Sequence, residues 1–223
     1  MFTRDKIAMM VAEFIGTFVL AAVAIGAAGY FNFTAPWYVS VALGVTLASL
    51  VVVLGRASGA HLNPAITIGA WTIKKITLIE TFIYLAMQLL GATAALAFVE
   101  YTTNNDILQQ GFTSIDTRIF VAELVGAAVF GFGVAAALTR KLEIYQSAFI
   151  IGSSFMIGIL IASIAAPGYI NPAIALANNT WDWTVVSAPI LGVVAGMNIY
   201  NLFIESERDI LLSSSTVKTV RKK

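Results

Sequence analysis

The chain has 223 residues, of which 59% are hydrophobic and only 11% charged, with a formal net charge of +1 and a mean hydropathy of +0.86. That composition excludes an ordinary water-soluble domain. The small net charge gives no case for a nucleic-acid partner, and the lack of cysteine excludes disulfides and thiol chemistry.

A hydrocarbon core about 30 Å thick takes about 20 apolar residues per helix. Six stretches meet that length or approach it: 7–28, 37–54, 78–99, 119–138, 145–166 and 185–203. The first is too long for a signal-peptide core and lacks a clear small-x-small cleavage site, so it is expected to remain as a membrane helix. It carries Glu13, and the fourth stretch carries Glu123. After the second stretch, residues 55–75 hold Gly, His, Asn and Pro and then a short apolar run at 65–73. After the fifth, residues 167–180 repeat that design with a run at 173–177. Both runs are too short to span. Each is expected to be a half-helix, because asparagine is a good N-cap and proline suits the first helical position. Trp37, Tyr38, Trp181 and Trp183 stand at span borders as interfacial anchors. Gly192 and Gly196 form a GxxxG on the last span, one of several glycines expected at close helix crossings.

The two halves of the chain resemble each other. Asn63-Pro64-Ala65 recurs as Asn171-Pro172-Ala173, and Gly44 and Gly152 each precede their asparagine by 19 residues. Val11-Ala12-Glu13-Phe14 and Gly16 match Val121-Ala122-Glu123-Leu124 and Gly126, at an offset of 110 against 108 at the triplets. With six spans and an inside N-terminus, the inside segments hold Arg4, Lys6, Arg56, Lys74, Lys75, Arg140, Lys141, Arg208, Lys218, Arg221, Lys222 and Lys223, and only Arg118 falls outside. That bias predicts two cytoplasmic termini. Three spans per half then make the repeats inverted, over 1–110 and 111–206, with a basic tail at 207–223, all in one structural domain. Irregular backbone at membrane depth must be buried in protein or face a water-filled cavity, so the half-helices are expected to meet near the centre of a pore.

With these residues in view, the chain resembles the aquaporins of the major intrinsic protein family. The likeness covers about residues 7–204 and rests on Ala12-Glu13-Phe14-x-Gly16-Thr17-Phe18, Ser58-Gly59-Ala60-His61-Leu62-Asn63-Pro64-Ala65, Glu123, and Asn171-Pro172-Ala173. It implies an all-α membrane protein of six transmembrane helices and two re-entrant half-helices, with one pore per subunit in a homotetramer. In such a pore Asn63 and Asn171 turn donors into the lumen. The carbonyls of Gly59, Ala60, His61, Leu62, Pro167, Gly168, Tyr169 and Ile170 form acceptor ladders. Two opposed half-helix N-termini repel cations and orient water against proton relay. The expected solute is water or a small neutral molecule, moved passively and without a cofactor.

One position departs from the family pattern. Where the family usually has arginine after the second triplet, this chain has Ile174, followed by Ala175. By ungapped counting, the other constriction positions fall on Leu43, Ile159 and Gly168. This filter lacks fixed charge. Two selectivities are open: water with broad small-solute leakage, or preference for a solute such as ammonia, hydrogen peroxide, carbon dioxide, glycerol or urea.

Glu13 and Glu123 are either proton relays or braces for the re-entrant loops; the resemblance favours bracing. His61, the single histidine, excludes a multi-histidine metal site and is either a loop brace or a pH gate. Asn32-Phe33-Thr34 and Asn178-Asn179-Thr180 match the glycosylation triplet but are expected to be unused. An ion-coupled transporter and a non-conducting structural membrane protein are the competing functions. An enzyme is not expected: no nucleophile is paired with a base, and no nucleotide motif is present.

Overall fold

The computed structural model describes residues 3–30, 35–104, 116–140 and 142–205. Eight α-helices follow in order: α1 Arg4–Tyr30, α2 Pro36–Ser58, α3 Pro64–Thr72, α4 Leu78–Thr103, α5 Thr117–Thr139, α6 Ile144–Ala162, α7 Pro172–Ala177 and α8 Trp183–Ile199, which runs into a π-helical turn Tyr200–Glu205. Six of these segments are long and apolar enough to cross a membrane, the last being α8 with its π turn. The basic tail, Lys141 and the Asn32 glycosylation triplet lie outside the described residues.

Local chemistry sets the helix ends. Pro36 opens α2 at its first turn, and Gly59 closes it at φ +82°, donating its N–H to the Gly55 carbonyl at 2.9 Å. Thr77 and Glu80 cap α4 reciprocally, and Asp182 caps α8 through the N–H groups of Thr184 and Val185. Asp116 caps α5 and also binds Arg118, the single cation expected outside, at 2.7 Å. Hydrogen bonds from Arg118 lower the Asp116 carboxyl to about 2. The fifth apolar stretch stops short of its expected end. α6 ends at Ala162, and residues 163–166 fold as turns, with the Ala165 and Ala166 N–H groups both reaching the Ala162 carbonyl. Pro167 explains this, because the residue before a proline is pushed out of the helical region.

Polar and apolar groups are distributed as a bilayer requires. Val53, Phe82 and Phe149 are 74%, 64% and 73% exposed, whereas Glu13, Glu123, Gln88 and Asn171 are fully buried. α1 packs on α4 and α2, α5 on α8 and α6, and α2 crosses α6. Glycines let the backbones meet. A Cβ on Gly44 would stand 2.9 Å from the Gly152 carbonyl oxygen, and one on Gly196 would stand 2.0 Å from the Ala128 oxygen. α3 and α7 touch each other inside this bundle.

Candidate functional site

Both half-helices start as the sequence suggests. The Asn63 Oδ1 accepts the Ala65 N–H at 2.8 Å, and the Asn171 Oδ1 accepts the Ala173 N–H at 2.9 Å. Each asparagine then reaches across to the other loop. Asn63 donates its Nδ2 hydrogen to the Ile170 carbonyl at 3.1 Å, and Asn171 donates to the Leu62 carbonyl at 3.0 Å. These reciprocal bonds tie α3 and α7 together at their N-termini. They also engage Leu62 and Ile170, the last carbonyl of each expected ladder.

The two loops repeat one backbone pattern. Ala60 and Leu62 lie at φ +51° and +50°, and Gly168 and Ile170 at +74° and +38°. For a β-branched residue such as Ile170 that region is a rare, strained one. Buried carboxyls hold both loops. Oε1 of Glu13 accepts from the Ser58 hydroxyl at 2.7 Å and the His61 N–H at 3.0 Å. Its Oε2 accepts from the Leu62 N–H at 2.9 Å and the Gln88 side chain at 2.7 Å. Glu123 accepts three backbone N–H groups, from Gly168, Tyr169 and Ile170, at 3.0, 2.9 and 2.7 Å. The His61 ring contacts the Thr67 hydroxyl at 3.2 Å and lies against Tyr84, with centroids 4.7 Å apart. Tyr84 in turn donates its hydroxyl to the Ser58 carbonyl.

A cavity lies against each re-entrant loop. The one at the second loop, which the charge bias leads one to expect on the outer side, is about 290 Å³ and is lined by Leu43, Ile159, Gly168 and Ile174 together with Pro167 and Tyr169. The four filter positions counted from the sequence therefore share one wall. Among the described residues that wall has polar side chains in Ser163, Tyr169 and Asn178 and no charged one. Gly168 has no alternative there: its φ is positive, and a Cβ would meet the Ser163 hydroxyl at 2.6 Å. Asn178, the asparagine of the second glycosylation triplet, is 1% exposed and donates to the Ile174 carbonyl at 2.9 Å, which leaves no room for a glycan. The inner cavity is about 10 Å³ and is bordered by Gly59, Ala60, His61, Ile66 and Phe130.

Sequence reasoning missed Phe130 and Phe155, whose rings pack 4.7 Å apart in the buried centre. The signal was available, because the same offsets that align the glutamates and the triplets set Phe130 over Leu20 and Phe155 over Leu47.

The sequence profile of the major intrinsic protein family matches residues 2–200. The chain belongs to the major intrinsic protein family. Aquaporin Z of Photorhabdus laumondii is 29% identical over 225 residues, covering 86% of this chain and 96% of that protein. Glycerol uptake facilitator protein-like 5 of Lactiplantibacillus plantarum is 34% identical over 194 residues, covering 72% and 76%. The fold is similar to that of the aquaglyceroporin from Plasmodium falciparum, with a TM-score of 0.76 at 24% identity over 92% of this chain and 99% of that one. This major intrinsic protein is thus a multi-pass integral membrane channel for water or small neutral solutes, and not an enzyme.

Proposed function

We propose that the chain is a passive channel whose outer entrance selects against charge by apolarity, without the arginine usual in the family. Water passes, and small uncharged solutes leak with it. The observation that carries this reading is the outer cavity, where Leu43, Ile159, Gly168 and Ile174 form a wall free of charged side chains among the described residues. An ion that sheds water there finds no compensating charge. A small neutral molecule loses little and leaves as readily as it enters.

Asn63 and Asn171 are the midplane donors. Each amide nitrogen carries two hydrogens. One is spent on the opposite loop at 3.1 and 3.0 Å, and the other remains for a passing oxygen. The carbonyls of 59–62 and 167–170 serve as the acceptor ladders, a role supported by the left-handed backbone at Gly59, Ala60, Leu62, Gly168 and Ile170. The facing N-termini of α3 and α7 add positive potential against cations and protons. Glu13 and Glu123 brace the loops, since their oxygens accept the backbone N–H groups of His61 and Leu62 and of Gly168, Tyr169 and Ile170. His61 braces through Thr67 and Tyr84 rather than gating with pH.

The halves 1–110 and 111–206 act as inverted repeats around the asparagines, in a homotetramer with one pore per subunit. Both termini face the cytoplasm, in a plasma or cytoplasmic membrane, as the distribution of lysine and arginine favours. Stopped-flow light scattering on proteoliposomes tests the channel. Shrinkage in sucrose should outpace empty vesicles, and re-swelling in glycerol or urea should report leakage through the entrance. Shrinkage no faster than empty vesicles would exclude water as a permeant.

A further inference from the structure

The outer and inner cavities have no lining residue in common. On α6, Ile159 lines the outer cavity and Ile151 the inner one, and Phe155 lies between them, one turn from each. On α5, Val134 and Leu138 line the inner cavity and Phe130 stands one turn further toward the centre. On α2, Leu47 is one turn below Leu43, and on α1, Leu20 is one turn below Ala24, both of which line the outer cavity. All four of these central residues, Leu20, Leu47, Phe130 and Phe155, are at most 2% exposed and belong to one apolar cluster. Phe130 reaches both loops. It borders the inner cavity with Gly59, Ala60 and His61. A Cβ placed on Gly158 would touch it at 3.3 Å and the Ile170 side chain at 2.8 Å. Asn63 and Asn171, bonded to the Ile170 and Leu62 carbonyls, are 1% and 0% exposed.

We propose that Phe130 and Phe155, closed against Leu20 and Leu47, form the flux-limiting constriction of the pore, an apolar gate beside the paired asparagines and a turn deeper than the Leu43–Ile159–Gly168–Ile174 ring. The proposal rests on the channel reading given above and adds a second constriction to it. Its physical basis is asymmetry between the halves. The first half brings two leucines to this level. The second brings two phenylalanines, whose tilted rings occupy the space between the helices. A water that crosses must part with hydrogen bonds before the asparagine donors can replace them. A larger polar solute must part with more. The gate therefore favours small molecules that are cheaply dehydrated and slows water, urea and glycerol in increasing order of size.

The test replaces each phenylalanine by its counterpart in the first half, as Phe130→Leu, Phe155→Leu and the double variant. Phe149→Leu, on the exposed face of α6, is the control for loss of a ring. Osmotic water permeability and glycerol re-swelling are measured in proteoliposomes at equal protein density. The double variant should raise water permeability by about tenfold to a hundredfold, the range that one regained hydrogen bond corresponds to. Glycerol permeability should rise by a larger factor, and each single variant should show part of both effects, so a double variant that fails to assemble does not remove the test. Wild-type permeability in the phenylalanine variants would overturn the gate. So would an Ile174→Ala variant that raises flux while the phenylalanine variants do not. If the wild type conducts and the variants merely equal it, the gate alone falls. If neither the wild type nor any variant conducts water or glycerol, the channel reading falls with it.

Discussion

Glu123→Gln probes how the second loop is held. The glutamate is fully buried, and its two oxygens take the N–H groups of Gly168, Tyr169 and Ile170. Glutamine matches the shape but offers a single acceptor oxygen. With that oxygen toward Gly168 and Tyr169, the new amide nitrogen faces the Ile170 N–H from the place where Oε2 lies at 2.7 Å, donor against donor. An orphaned buried N–H costs about 1–3 kcal/mol. The two surviving bonds lose their charge assistance, about 1 kcal/mol each. The total is about 3–5 kcal/mol, an upper figure because a neutral amide is cheaper to bury than a carboxylate. The damage falls on Ile170, which sits at φ +38° and whose carbonyl receives the Asn63 side chain. Released from its tether, this residue should relax and break the cross-bond between the half-helices. We expect unchanged helix content by circular dichroism, a lower unfolding midpoint in mixed detergent, and reduced water flux per protein. A variant with the wild-type midpoint and wild-type flux would refute the bracing argument. Glu13→Gln should act in the same direction, because either orientation of its amide sets a nitrogen against the His61 or the Leu62 N–H.

Three further outcomes are expected. Ile174→Arg should narrow the solute range: the side chain extends into the outer cavity and adds a charge and donors, so glycerol flux should fall relative to water, and an unchanged ratio would show that this position does not face the pathway. Gly196→Ala should lower the unfolding midpoint by the equivalent of about 1–3 kcal/mol, since its Cβ would enter the Ala128 carbonyl and force α8 off α5; wild-type stability would mean the two helices do not cross this closely. Water flux should stay level between about pH 5.5 and 8, where an ordinary histidine titrates. A step in that interval that disappears in His61→Gln would assign His61 a gating role in place of bracing.

Much of the fold could be read from the sequence, because its determinants are local. Apolar length marks the six spans. Asparagine followed by proline marks where α3 and α7 begin, because a cap and a first-turn proline act within four residues of themselves. The end of α6 was misjudged by hydropathy alone, which counts Ala165 and Ala166 as helix and overlooks the constraint from Pro167. The repeat also pointed to residues that do share a place: Leu43, Ile159, Gly168 and Ile174, separated by up to 131 positions, line one cavity.

By itself the sequence determined the class of molecule, the number of apolar segments and the start of each half-helix, since composition and short-range capping decide all of these. Only the tertiary structure decided that each asparagine bonds to the opposite loop 107 or 109 residues away, that both glutamates turn their oxygens onto loop backbone, and that Phe130 and Phe155 meet between the two cavities. A pore is the space left by side chains from four helices and two loops. Its width depends on rotamers and backbone angles such as that of Ile170, which exist only once all those elements press on one another.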